Sequence, residues 1–525
     1  MVKTLIILPF IAGIIAFFIP KKAGRKLLVA IGLIHLIASI LLWIERPTPP
    51  FPDYFAITPE GLLSLLVISL LFFLISIYSQ GYLKAEEQHL LSDHENLISN
   101  TGIETIKAEK IFIGSILIFL STMTMVTLSD HIMVMWIAIE ATTLASAPLI
   151  YFHRTAASLE ATWKYVIICS VGIAMALLGS IFIAIAMDVG QVNAPVSFSA
   201  LTSVAKHLDP IWLKTGFVFI LVGYGTKMGL APMHTWLPDA HSEAPSPASA
   251  LLSGVLLNCA YLGIFKTNKI MHEAGLGDFS GNILMTFGLI SIIAAATFIL
   301  KQTEYKRLLA YSSIENMGII AFGTGIGGMG VYGALLCLIH HSLIKSSLFL
   351  TSGNMLLGYG TKLIKETGNM VKLMPKSFVA FFAGFAGIAG FPPFGIFIGE
   401  FFIIMAAFRS GHFVAAGIFI LTLCIIFAGF SNQMMKISFG PSDHDNDTAK
   451  FSKIQMDKIR SYRVDIHNKI DIGKISTDKK HMEQKLSMIL PQYLLLLTSI
   501  ILCFWMPDSL YQTIMNAVAS MGGLK

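Results

Sequence analysis

Residues 211–232 read IWLKTGFVFILVGYGTKMGLAP, an apolar run that ends in a lysine, a glycine and a proline. A membrane-spanning helix needs about 20 mostly apolar residues, and this stretch has that length. Proline removes a backbone donor and clashes with the preceding turn, while glycine loosens the helix, so the segment is expected to be interrupted just after Lys227. Residues 390–395, GFPPFG, place the same chemistry inside a second apolar segment. A charge kept at such depth costs from roughly 2.5 to well over 10 kcal/mol, and it persists only with a partner or a water-filled path.

The rest of the chain is of the same kind. Of 525 residues 55% are hydrophobic and only 13% charged, with mean hydropathy +0.72, against roughly 25% charged in soluble domains. About fourteen apolar segments of spanning length recur, near 4–19, 28–44, 61–80, 111–129, 131–152, 163–187, 211–231, 246–268, 283–300, 306–326, 330–356, 376–408, 413–436 and 487–506. The fold class is therefore an all-α polytopic membrane protein. The two interruptions fall in the seventh and twelfth segments. If segments four to eight form one unit and nine to thirteen another, each break lies in the fourth helix of its unit, and the odd helix number inverts the second. The expected organisation is N-terminal transmembrane helices (1–110), a first five-helix repeat (111–268), a second (283–436), a polar loop (441–485) and a C-terminal helix (487–525). A pair of simple packing kinks is the alternative.

Basic residues set the orientation. Lys21, Lys22, Arg25 and Lys26 follow the first segment and only Lys3 precedes it, which puts both termini on the periplasmic side of the cell inner (plasma) membrane. The first segment runs into a basic loop and a second helix, so a cleaved signal peptide is not expected. The net charge of +6 resides in loops and reads as topological charge, with no nucleic-acid partner. Cys169, Cys259, Cys337, Cys424 and Cys503 lie far apart, without metal-ligand spacing, so no metal, cofactor or redox centre is expected in this chain. Residues 441–485, polar and of mixed charge, read as a cytoplasmic excursion, either a solvated, partly helical loop or a docking surface for a soluble partner. Residues 81–110 read as a shorter excursion of the same kind.

Four ionisable side chains stand out inside the apolar segments: Glu140, Lys227, Lys345 and Glu400. Glu140 and Lys227 are candidate partners, with a static ion pair as the alternative reading. In the eleventh segment His340, His341 and Lys345 form a polar stripe, His341 and Lys345 one turn apart. Histidine titrates near neutrality, so this group suits proton exchange. Tyr311, Ser312, Glu315 and Asn316 in the tenth segment add polar groups, although Glu315 equally fits a cytoplasmic vestibule.

Residues 225–247, GTKMGLAPMHTWLPDAHSEAPSP, together with 339–348, IHHSLIKSSL, and 306–312, KRLLAYS, resemble the proton-conducting subunits shared by respiratory complex I, Mrp-type antiporters and membrane-bound hydrogenases. The resemblance covers nearly the whole chain and is most similar to the antiporter-like component F of hydrogenase-4 and formate hydrogenlyase-type complexes. It implies that Glu140 is the fifth-helix carboxylate, Lys227 the broken-helix lysine, Lys345 the connecting lysine with His341 beside it, and Glu400 the terminal acid. His340, His234, Lys306, Glu315 and Asn258 complete the implied relay. One departure matters: many relatives carry a lysine in the eighth helix where this chain has Asn258, and the nearest lysine is Lys266. The implied partners are the lipid bilayer, other membrane subunits and a peripheral hydrogenase or NADH-dehydrogenase-like arm. The implied function is proton translocation within a redox-driven complex. An antiporter of the Mrp type, working without electron transfer, and a structural membrane anchor are the alternatives.

Overall fold

A computed structural model of the chain describes residues 1–92, 100–441 and 483–521. Each expected apolar segment is a helix or an interrupted helix. The first six are α1 (Val2–Ala16), α2 (Lys21–Glu45), α3 (Pro59–Ser92), α4 (Asn100–Leu128), α5 (Ile132–Ile150) and α6 (Ala156–Val189), followed by a short α7 (Phe198–Val204). The seventh divides into α8 (Pro210–Met228) and α9 (Trp236–Glu243). The eighth is α10 (Ser246–Glu273). Then come α11 (Gly277–Ile299), α12 (Tyr305–Ile326) and α13 (Met329–Tyr359). The twelfth divides into α14 (Pro375–Ile388) and α15 (Gly395–Arg409), before α16 (Phe413–Phe439), α17 (Leu486–Phe504) and α18 (Asp508–Ala519). Among the described residues all regular elements are helical, and 11 helices are long and apolar enough to cross a membrane.

The excursion at 81–110 holds the end of α3, which continues to Ser92, and the start of α4 at Asn100. One expectation changes. The C-terminal region holds a second helix, α18, that the apolar-length criterion passes over. Its buried residues Leu510, Thr513, Ile514, Ala517 and Val518 follow the i, i+3, i+4, i+7, i+8 pattern of an amphipathic helix. Of the polar stretch 441–485, residues 442–482 lie outside the described residues, and so does the docking surface expected there.

Most spanning helices are apolar on every face, so small residues select the contacts. α6 and α8 cross where a side chain at Gly179 would press on the Gly216 carbonyl, and one at Gly223 on the Gly172 carbonyl. α13 and α15 cross in the same manner at Gly333 and Gly399. The sixth-with-seventh pairing thus recurs as eleventh-with-twelfth, matching the positions of the two breaks. α10 and α13 lie enclosed by other helices and form the interior of the bundle.

The two ends differ in chemistry. All ion pairs among the described residues cluster at one end: Arg25 with Glu109 (2.6 Å) and Glu87 (3.0 Å), Lys21 with Glu87, His153 with Glu86, Lys164 with Glu160 (2.6 Å), Lys164 and Arg307 with Asp239, and Lys362 with Glu243 (2.8 Å). The opposite end is knitted by backbone: Ala56 N–H donates to Leu128 O (2.9 Å), Asp130 N–H to Tyr54 O (2.8 Å) and Phe198 N–H to Asp130 O (2.7 Å).

Candidate functional site

Helix α8 ends where the sequence places the break. Gly229 takes the left-handed conformation (φ 85°) that glycine reaches without steric cost, and its N–H returns to Thr226 O. The Ala231–Pro232 peptide is cis. Two groups freed by the break find partners inside the protein: Trp236 Nε1 donates to Thr226 O (2.9 Å), and Ala231 N–H donates to the Ser291 hydroxyl of α11 (2.9 Å). The interruption is a built feature with its polar groups satisfied.

Lys227 sits one residue before the end of α8 with no solvent exposure. Its Nζ donates to Thr143 Oγ1 (2.8 Å) and Tyr165 OH (2.5 Å) and lies 4.4 Å from the Tyr165 ring centroid. Glu140 accepts from Ser170 Oγ (2.9 Å) and lies 3.5 Å from Thr143 Oγ1. The expected partners therefore do not touch. Thr143, one turn after Glu140, stands between carboxylate and ammonium, because Lys227 reaches α5 one turn along from Glu140. A hydroxyl both donates and accepts, so this spacing suits proton exchange better than a closed ion pair.

From Lys227 the interior continues across α10. A π-helical turn, Leu252–Leu256, lies immediately ahead of Asn258, and such turns release backbone carbonyls. Asn258 Nδ2 donates to the Gly254 carbonyl (3.1 Å) and to Ser342 Oγ on α13 (2.7 Å), while Asn258 Oδ1 and the nearby Tyr224 hydroxyl have no protein partner. Ser342 is next to His341, whose two ring nitrogens are buried without a protein partner, as are both nitrogens of His241. The Phe349 ring brings this group together: His241 packs on it at 5.3 Å and Lys345 Nζ lies 5.9 Å from its centroid. Each unpaired buried polar group costs about 1–3 kcal/mol, and such groups are normally satisfied by ordered water. The Tyr224, Asn258, His341 and His241 atoms named here are of that kind. Asn258→Ala removes both of its hydrogen bonds, of which the one to Ser342, worth about 1 kcal/mol, links α10 to α13, so proton transfer is expected to fall by roughly fivefold, measured as proton uptake by membranes holding the assembled complex.

Lys345 is fully buried and donates to Leu309 O and Ser312 Oγ of α12. Ser312, Glu315 and Glu400 together line a small cavity of about 30 Å³ closed by Ile388, Ala389, Leu423 and Phe430, enough for about one water. Glu315 is 5% exposed and faces this cavity, which decides against a place in an open vestibule. Glu400 lies in the first half of α15, and its carboxylate packs against Gly390 of the second break (φ 71°), where no side chain would fit. That break also contains a cis peptide, Pro392–Pro393.

Two expected relay residues, His340 and His234, stand apart from this row, and a third, Lys306, reaches it only through its charge on His241. His340 turns away from His341: Nδ1 pairs with Ser499 Oγ of α17 (2.8 Å), and the ring packs on Gly395. His234 packs beside Phe298 and Tyr311 near the first break. Lys306, buried at the start of α12, donates to the Ala244 carbonyl between α9 and α10 (2.8 Å). In the other direction the structure adds Thr143, Tyr165, Ser170, Ser342 and His241. Their signals in the sequence are weak, since hydroxyl residues on apolar helices usually bond back to their own backbone. Three of the five cysteines are buried, Cys424 is exposed and all are free. Among the described residues no group of His, Cys, Asp and Glu could hold a metal ion.

Comparison with known proteins agrees with this geometry. The family described as NADH:quinone oxidoreductase/Mrp antiporter, TM, matches residues 129–426. The hydrogenase-4 component F homolog of Methylacidiphilum infernorum (isolate V4) is 32% identical over 79% of this chain and 85% of its own length. Hydrogenase-4 component B of Escherichia coli (strain K12) is 29% identical over 64% of this chain and 48% of its own length. Among solved structures, a chain of respiratory complex I from Thermus thermophilus with bound NADH superposes with TM-score 0.75 at 19% identity over 100% of both chains. A chain of the Mrp complex from Dietzia sp. DQ12-45-1b gives TM-score 0.75 at 16% identity, covering 99% of this chain and 96% of that one. The chain belongs to the NADH:quinone oxidoreductase/Mrp antiporter membrane family and is an antiporter-like membrane subunit of that family.

Proposed function

We propose that this chain moves protons across the bacterial inner membrane as one subunit of a redox-driven complex of the hydrogenase-4 or formate hydrogenlyase kind, and holds no redox centre itself. The observation that carries the reading is the row Glu140, Lys227, Asn258, His341, Lys345, Glu315 and Glu400, buried at Lys227, Asn258, His341, Lys345 and Glu315 and half-buried at its two end carboxylates, joined by hydroxyls and partnerless polar atoms inside an apolar bundle. Intramembrane ionisable groups in such a row are functional by default. The cytoplasm faces the end that carries the ion pairs, in keeping with the bias of basic loops, and both termini are periplasmic. Residues 111–268 and 283–436 act as the two inverted repeats, each contributing one break.

The carboxylate of Glu140 is only partly buried by this chain, and Leu144, Trp163 and Ile167 around it are exposed. A carboxylate facing lipid is costly, which supports a neighbouring membrane subunit on that face. The relatives named for hydrogenase-4 favour a redox complex. The Mrp-type alternative, cation/proton exchange without electron transfer, is favoured by the equal fold likeness to the Mrp complex. Purification of the tagged chain with its companions, reconstitution into vesicles and parallel measurement of proton and sodium flux separate the two. Flux driven by a co-purified hydrogenase or quinone-reducing module supports the first. Exchange of sodium for protons with no such module attached overturns it.

A further inference from the structure

A second buried ionisable cluster lies outside the central row, at the end of the bundle opposite the ion pairs. Lys266, two turns beyond Asn258 on α10, is 2% exposed, and its Nζ donates to the Ser129 carbonyl at the end of α4 (2.5 Å). Asp130 (2% exposed) follows directly and accepts from Ser199 Oγ of α7. Glu60, in the first turn of α3, is 4% exposed, and its Oε2 has no protein partner. Both carboxylates are near enough to Lys266 to act on it through their charge, yet neither closes an ion pair with it.

This arrangement is more than a clamp for the loops at that end. The Ser129 carbonyl is a neutral acceptor that any donor would satisfy, so it gives no reason to bury a lysine and two carboxylates beside it. A clamp would also not leave a carboxylate oxygen of Glu60 without a partner at that depth, where an unpaired polar group is costly. The cluster is also connected. Tyr261, one turn after Asn258, shares a hydrogen bond with Thr324 Oγ1 of α12 (2.8 Å), and its hydroxyl lies within electrostatic reach of Glu60. Tyr261 lies one turn from Asn258 on α10, Glu60 acts through its charge on both Tyr261 and Lys266, and Asp130 acts on Lys266 and bonds the exposed Ser199, so these groups link the α10 interior to that end of the bundle.

We propose that Glu60, Lys266 and Asp130 form a proton station through which the central row exchanges protons with the face opposite the ion pairs, reached from Asn258 by the Tyr261–Thr324 pair. A proton arriving at the hydroxyl pair passes to Glu60, and leaves through Asp130 as the next one enters; Lys266 balances the carboxylate charge throughout. The proposal rests on the reading of the central row as a proton path.

The test uses the assembled complex in its membranes. Glu60→Gln keeps shape and burial while removing the acid, and it is expected to reduce proton transfer by about a hundredfold with the complex still assembled. Lys266→Arg should retain part of the transfer, whereas Lys266→Ala should not. A second readout addresses protonation directly: dicyclohexylcarbodiimide reacts with a buried carboxyl only when it is protonated, so the intact protein should yield an adduct at Glu60 by mass spectrometry. Transfer at the wild-type rate in Glu60→Gln, with Lys227→Ala inactive, overturns the station and leaves the central row standing. Wild-type transfer in both variants overturns the central row as well. Should Glu60→Gln fail to assemble, absence of the carbodiimide adduct from the intact protein overturns the station.

Discussion

Lys227→Ala is expected to reduce proton transfer by roughly a hundredfold, while the amount of assembled complex in the membrane stays near normal. The amine donates to Thr143 and Tyr165, and its removal breaks the row at its first station. Assembly survives because the groups left behind keep partners: Tyr165 OH still pairs with Ser146 Oγ (2.6 Å), and Thr143 with Glu140. The energies involved are adequate for the task. A change of two to three decades in the proton affinity of a lysine is worth about 3 to 4 kcal/mol, close to the cost of moving one proton against roughly 150 mV. Acid-pulse or fluorescence-quenching measurements on membranes, normalised to the complex present, check the prediction. Normal transfer in this variant would remove the lysine from the path.

Lys345→Ala is expected to be as damaging to transfer, with an added effect on stability. Lys345 is the cation that reaches Ser312 on the rim of the cavity shared by Glu315 and Glu400. Without it two carboxyl groups share that cavity with no compensating charge, and leaving a buried charge uncompensated costs about 3–5 kcal/mol. The single variant should accumulate poorly. Lys345→Ala combined with Glu315→Gln should recover assembly and still fail to move protons, by roughly a hundredfold. Comparison of complex yield and proton uptake in the single and double variants separates the structural from the transport role. Recovery of transport along with assembly would show that Lys345 only balances charge.

Much of this architecture was legible in the sequence. Apolar length alone located each spanning helix, and proline and glycine chemistry located both breaks to within a few residues. The charged residues of the row were equally visible, because an ionisable group in an apolar segment has few bland explanations. Rotation was not legible. Helices that are apolar all round carry no periodic signal of which face turns inward, so the intervening Thr143, the departure of His340 toward Ser499 and the entry of His241 beside Phe349 all depend on packing. Crossings fixed by Gly179 on Gly216 and Gly333 on Gly399 set those rotations, and glycine reads alike in a kink, a cap or a crossing. The π turn before Asn258 left no signal, since Leu252–Leu256 contains no helix breaker other than Gly254.

The amide at residue 258, latched to Ser342, has a consequence for timing. An amide takes on no net charge near neutrality, so nothing can be stored at that joint between one cycle and the next. On the proposed reading the reservoirs lie on either side of it, one around Lys227 and one around Lys345. Each can fill or empty on its own schedule, influencing the other only through its field across the joint. Turnover then resembles two half-strokes whose order is fixed by whichever side is loaded first, and a titratable residue placed at 258 would merge them into one.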